Sequence, residues 1–158
     1  TTIDALSAID RPTVLVAGNA ESIEELRAAC GCWSTAIPLH GESVVIDDVP
    51  FFGLGGAIPE TPFGDWSWDH SESAAAAWLE GAPIGGVLVS HSPPKGTLDC
   101  DSGRRSLGST AVLDAIRRLQ PQLTVCGHIY ASAGRSEMIG RTPVVNAGPK
   151  GMIWTLES

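Results

Sequence analysis

Positive charge is what this sequence has least of: 10 Lys and Arg stand against 18 Asp and Glu, a net charge of −8 over 158 residues. That balance argues against a nucleic-acid backbone or an anionic membrane surface as the main partner. Long hydrophobic runs are missing too, and no stretch approaches the roughly 20 apolar residues that a membrane-crossing helix needs. The opening Thr1-Thr2-Ile3-Asp4 carries neither an initiator Met nor a basic leader segment, so no secretory signal is expected. Cysteine is sparse. Cys30, Cys32, Cys100 and Cys126 fit neither a disulfide framework nor a zinc knuckle, and the expectation is reduced thiols in a cytoplasmic protein, with Cys126 a small core residue. Internal repeats and low-complexity segments are absent as well.

What is present reads as one α/β domain over residues 1–158. Ile3, Leu6 and Ile9 give residues 2–9 a helical face that Pro12 ends. Residues 13–17 read as a buried strand. Ser22 and Glu25 form a capping box that opens a helix to about Cys30. Short strands over 43–46 and 51–54 flank Asp47-Asp48 and predict a hairpin. Residues 55–69 form a long loop rich in Pro, Gly and Trp, in which Trp66 and Trp68 are candidates either to wall a substrate pocket or to pack in the core or as a lid. A helix over 71–80, a strand over 86–90, a second long loop over 93–108 and a Ser109-capped helix to Leu119 follow. Strands are expected at 123–126, 137–139, 143–146 and 152–156. Strand and helix alternating ahead of a β meander indicate an α/β fold with mixed sheets.

Three of these strands end in the same way. Val14-Leu15-Val16-Ala17 runs into Gly18-Asn19, Val87-Leu88-Val89-Ser90 into His91, and Leu123-Thr124-Val125-Cys126 into Gly127-His128. In open α/β sheets ligands collect at the carboxyl edge of the strands, and a Gly there lets the chain turn so that the next side chain faces the crevice. Two imidazoles and an amide so placed can hold one divalent cation but cannot close its coordination shell. His40 and His70 have no such context and are expected at the surface. Asp99 and Asp101 read as turn formers, and Asn146 as a side chain that hydrogen-bonds the loop of the site.

Gly18-Asn19-Ala20-Glu21, then Ser90-His91-Ser92-Pro93-Pro94-Lys95-Gly96, then Gly127-His128-Ile129-Tyr130 resemble, in order and spacing, the later motifs of the calcineurin-like metallophosphoesterases. The likeness runs from Pro12 onward and is nearest the small single-domain branch whose loop reads His-x-Pro-Pro-x-Gly. It implies two mixed β-sheets sandwiched between helices, here lacking the first strands. It also implies a hydrolase of phosphate mono- or diesters in which two divalent ions about 3.5–4 Å apart clamp the phosphate for in-line attack. By position, Asn19, His91 and His128 would ligate one ion (Mn, Fe, Zn or Mg) and carry the catalysis. Tyr130 stands where the family has a further His ligand, and Arg104 and Arg105 are candidates to bind the substrate phosphate. The partner expected is a small phosphate ester.

The departures carry information of their own. The family's Asp-x-His and Gly-Asp motifs occur nowhere in the chain, and Ala20 occupies the position of the His that protonates the leaving oxygen. Losing a general acid typically costs 10²–10⁴ in rate. Two outcomes remain open: a working phosphoesterase, or a member that kept the fold as a phosphate-ligand-binding or protein-interaction module. The family layout, whose first two strands are central ones, implies about 50–70 residues ahead of Thr1. At most one metal is then expected in this chain.

Overall fold

The computed structural model describes residues 2–156. A short helix α1 (Thr2–Leu6) precedes strand β1 (Thr13–Leu15), helix α2 (Ile23–Ala29) and strand β2 (Ala36–Pro38). Strands β3 (Glu42–Ile46) and β4 (Val49–Leu54) come next, followed by helix α3 (Glu72–Leu79) and strand β5 (Val87–Ser90). Helix α4 (Thr110–Leu119), β6 (Leu123–Cys126), β7 (Arg135–Ile139) and β8 (Thr142–Asn146) complete the described elements.

The strands form two sheets. β1 and β2 pair in parallel as a two-stranded sheet. The other six run in the order β3-β4-β5-β6-β8-β7, parallel at the centre, with antiparallel hairpins at both edges. One face of the large sheet packs on α3 and α4 through Phe52, Leu88 and Val144 against Leu79, Val112 and Ile116. On its other side β4 approaches the small sheet so closely that a Cβ on Gly53 would lie 2.4 Å from the Leu39 Cβ. Helix α2 then covers the small sheet with Ile23 and Leu26, which join Ala17 and Trp33 in a second core. This is the α/β sandwich that the sequence implies.

Local chemistry accounts for the helix ends. Ser22 caps α2 by accepting the Glu25 N–H, while the Glu25 carboxylate accepts the Ser22 N–H at 2.7 Å, so two otherwise orphaned donors are satisfied reciprocally. Ser109 caps α4, and Glu72 at the head of α3 adds a carboxylate that accepts from Ser109 Oγ, Thr110 N and Ala111 N at 2.7–2.9 Å. The side of the large sheet away from α3 and α4 is less well covered: Phe51, Val89, Val125 and Ala147 are only half-buried around Val87, Leu123 and Val145.

Three expectations need correcting. The first helix stops at Leu6 rather than near Ile9. Residues 152–156 form no strand; Leu156 instead packs against the Val87 cluster. His40 and His70 are not surface residues. Both are half-buried in a ring cluster with Trp68 and Trp78, with centroids 4.4–4.9 Å apart, because the long 55–69 loop folds back over them.

Candidate metal centre

The three strand ends do converge. His91 Nε2 lies 3.0 Å from His128 Nδ1 and 3.2 Å from Asn19 Oδ1, and the two imidazole centroids are 4.8 Å apart. The backbone enforces this proximity. β5 and β6 pair in parallel and end at the same level, and Gly127 N–H donates to His91 O at 3.1 Å. The β1 end is drawn in by Gly56 N–H donating to Ala17 O at 3.1 Å, and the Gly18 turn is closed by its N–H donating to Glu21 Oε1 at 2.6 Å.

His128 is held in an unusual backbone state. Its φ is +62°, and Ile129 N–H donates to Gly127 O at 2.6 Å, closing a three-residue turn with His128 at its centre. Such a turn with positive φ is rare and strained. The Asn146 amide steadies it, donating to Ile129 O at 2.9 Å and reaching Gly127 O at 3.5 Å, as the sequence led us to expect.

The chemistry of this donor set fits a cation. One shared proton can serve either the His91–His128 or the His91–Asn19 contact well, but not both, and the lone pairs otherwise face one another. Ligands bound to a divalent ion at about 2.1 Å and at right angles stand about 3 Å apart, the spacing found here. Burial, with the His128 imidazole adding, pushes His91 down to about 4. Burial also lowers His128, opposed by the charge of Asp69. Both rings are therefore neutral at pH 7, as ligands must be. Among the described residues no group of three or more His, Cys, Asp or Glu could hold a metal. The donors are two imidazoles and an amide, enough for one ion with open positions.

A cavity of about 590 Å³ opens over the three side chains, lined further by Ile129, Ala133, Asn146, Ala147 and Pro149. Tyr130 borders it but is 89% exposed, and no hydrogen bond joins it to the three among the described residues. Arg104 and Arg105 do not line this cavity. Arg105 instead pairs with Asp101, Nη2 to Oδ2 at 2.7 Å, in an exposed loop. That loop is organised by Asp99, only 1% exposed, which accepts from Gly96 N, Gly108 N and Ser106 Oγ. Trp66 is 92% exposed and walls a shallower depression beside Asn19, whereas Trp68 packs into the ring cluster.

The residues that sequence reasoning missed are Ser67 and Asp69. Asn19 Nδ2 donates to Ser67 Oγ at 2.9 Å, and Ser67 Oγ donates to Asp69 Oδ1. Asp69 Oδ2 accepts from both Thr61 N and Thr61 Oγ1 at 2.6 Å. Burial raises the Asp69 carboxyl, but the hydrogen bonds from Ser67 and Thr61 outweigh it and hold the group below its ordinary value. The four cysteines are free, and burial pushes Cys126 up to about 12, an inert core thiol. No helix among the described residues is long and apolar enough to cross a membrane.

Comparison with known proteins places these features in context. Residues 3–151 match the family model described as metallophosphoesterase, calcineurin superfamily. A curated relative, UPF0046 protein K07C11.7 of Caenorhabditis elegans, is 31% identical over 109 residues, which is 69% of this chain and 36% of the relative. One solved structure superposes with a TM-score of 0.75 at 22% identity, covering 93% of this chain and 61% of the other. TT1561 of Thermus thermophilus does so with a TM-score of 0.70 at 21% identity, covering 92% and 67%. At such identities the structural likeness speaks for the fold. The chain spans about a third of the curated relative's length.

Proposed function

Because the chain belongs to the calcineurin superfamily of metallophosphoesterases, we propose that it acts as a metal-dependent hydrolase of phosphate esters. The observation that carries this reading is the meeting of Asn19 Oδ1, His91 Nε2 and His128 Nδ1 within 3.0–3.2 Å contacts at the floor of one cavity. His91 and His128 offer neutral nitrogens and Asn19 an amide oxygen to one divalent ion of the Mn, Fe, Zn or Mg class. Such an ion supplies positive charge to stabilise the phosphate oxygens during displacement. The chain's own residues do the rest. The cavity admits a small ester, and Ile129, Ala133, Ala147 and Pro149 give it an apolar wall beside the three donors. With a net charge of −8, a small phosphate ester suits the protein better than a polyanionic backbone or membrane surface. Four free thiols are in keeping with a cytoplasmic setting.

A second reading is favoured by two residues. Ala20 is exposed where the family places its proton donor, and Tyr130, 89% exposed, makes no hydrogen bond to the three donors among the described residues. A chain built this way can bind a phosphate ligand without turning it over. The discriminating experiment measures Mn²⁺-dependent hydrolysis of an aryl phosphodiester by the unaltered chain, by Asn19→Ala and His91→Ala, and by a form extended ahead of Thr1. Turnover that falls by about 10² or more in both variants supports the hydrolase, since the metal supplies several kcal/mol of charge stabilisation. Phosphate binding without turnover in either length of chain supports the binding module, and turnover indifferent to both substitutions refutes the site.

A further inference from the structure

We infer that Ser67 and Asp69 form a positioning relay that decides which face of the Asn19 amide is turned toward the pocket; the inference rests on the metal reading of that site. A side-chain amide carries oxygen and nitrogen in nearly the same shape, so its orientation is set by what each end can bond. Here one end is forced. The Asp69 carboxylate can only accept, so Ser67 Oγ must direct its single proton to Asp69 Oδ1. That leaves the serine oxygen with lone pairs alone toward Asn19. Only the amide NH₂ can answer them, and it does, with Nδ2 donating to Ser67 Oγ at 2.9 Å. The carbonyl end is thereby turned to His91, with Oδ1 3.2 Å from Nε2, as a metal ligand requires. A flipped amide would set oxygen against oxygen at Ser67 and an NH₂ against the cation.

The relay is anchored on a firm base. Thr61 N–H and Thr61 Oγ1–H both donate to Asp69 Oδ2 at 2.6 Å, fixing the carboxylate. The loop also grips the Asn19 turn through its main chain, Trp68 N–H donating to Asn19 O at 2.8 Å. Loss of the serine hydroxyl therefore removes the orienting bond while the loop stays docked. Ser67 touches no substrate in this scheme and acts through Asn19; Asp69 acts through Ser67 and also lends its charge to His128, so Ser67→Ala is the cleaner variant.

The test compares Ser67→Ala, Ser67→Thr and Asp69→Asn with the unaltered chain. The Asn19 side-chain NH₂ pair is assigned in ¹⁵N spectra by its loss in Asn19→Ala and read without metal, and Mn²⁺ affinity is read separately by titration. In Ser67→Ala the Asn19 NH₂ pair should shift and exchange faster with water, and Mn²⁺ should bind about 10–100-fold more weakly, the usual cost of losing an outer partner of a ligand. Ser67→Thr, which keeps the hydroxyl, should restore both, and Asp69→Asn should move both in the direction of Ser67→Ala. An unmoved NH₂ pair in Ser67→Ala overturns the relay whatever the metal does. A moved pair with unchanged Mn²⁺ affinity overturns its role in ligation. Failure of the unaltered chain to bind Mn²⁺ sinks the metal reading itself and the ligation role with it, and the orienting bond then stands or falls on the NH₂ pair alone.

Discussion

The strained turn at His128 makes a quantitative prediction about two substitutions that both delete the imidazole. His128 sits at φ +62°, a conformation that costs an L-residue about 1–2 kcal/mol and glycine nothing. Replacing an ordinary residue by Gly rather than Ala costs roughly 0.5–1 kcal/mol, from the greater freedom of the unfolded chain. At position 128 the two terms oppose, and the strain is the larger, so His128→Gly should be more stable than His128→Ala by roughly 0.5–1 kcal/mol. His91 is not among the residues with positive φ, so there the order should be the usual one, with His91→Ala the more stable by a similar roughly 0.5–1 kcal/mol. The comparison cancels the loss of the ring, its contact with its neighbour and any effect on metal, because both members of each pair lack them. Urea or thermal unfolding reads it, the expected separation within a pair being about 1–4 °C. If Ala is the more stable at both positions, His128 is not held under strain, and the turn has no claim to be a device for aiming an imidazole. A reversal of sign between the two histidines means that the fold gives up stability to keep His128 facing His91.

Glu72 should matter to stability alone. Its carboxylate accepts three hydrogen bonds at the head of α4, so Glu72→Ala should cost about 2–3 kcal/mol in urea unfolding at pH 7, as bonds to a charged group are worth. Burial raises this carboxyl, but bonds from Ala111, Ser109 and Thr110 outweigh it and lower it, so its contribution is present above the ordinary Glu value and lost as pH falls through the depressed one. The gap between variant and parent should thus close in acid; a constant gap would mean that the charge contributes nothing. His40 titrates the other way. Burial, then the charge of His70, pushes it from 6.5 down to about 4, with Glu24 and Glu42 opposing and Arg27 adding. The unfolded state takes up its proton first, so stability is level above pH 6.5 and falls between 6.5 and about 4, by less than the roughly 2 kcal/mol that the whole shift would give at pH 5, because solvent screens a half-buried ring. A His40 resonance that titrates near 6.5 in the folded protein would refute this.

How much of this was legible in the sequence depends on whether the deciding interaction is local. The Ser22–Glu25 box, the hairpin at Asp47-Asp48 and the apolar runs ending in Gly18-Asn19, His91 and Gly127-His128 are local patterns, and each reappears at its expected place. Convergence of the two imidazoles followed from parallel strands β5 and β6 ending at one edge, a topological rule that needs no side-chain detail, whereas Asn19 arrives from the separate small sheet, tied in by Gly56 N–H on Ala17 O. Where a partner comes from far along the chain, the pattern fell silent. Arg105 is a separate case, since its partner Asp101 is local, only four residues away, and the pair lies outside the lining of the cavity. Trp68 is a sequence neighbour of His70, but His40 and Trp78 come from elsewhere in the chain, and only folding brings all four rings together. The 152–156 segment has strand composition, yet it finds no ladder, because composition supplies side chains and not an open neighbouring strand. Ser67 is the sharpest case. It is one serine in an aperiodic loop, 48 residues from Asn19, and its importance lies in where its single proton goes. Ligands at strand ends obey rules of chain geometry, whereas the residues that aim those ligands obey only the matching of donors to acceptors between loops. The second kind of information enters when the chain closes on itself, and in this protein it decides whether Asn19 turns an oxygen or a nitrogen toward His91.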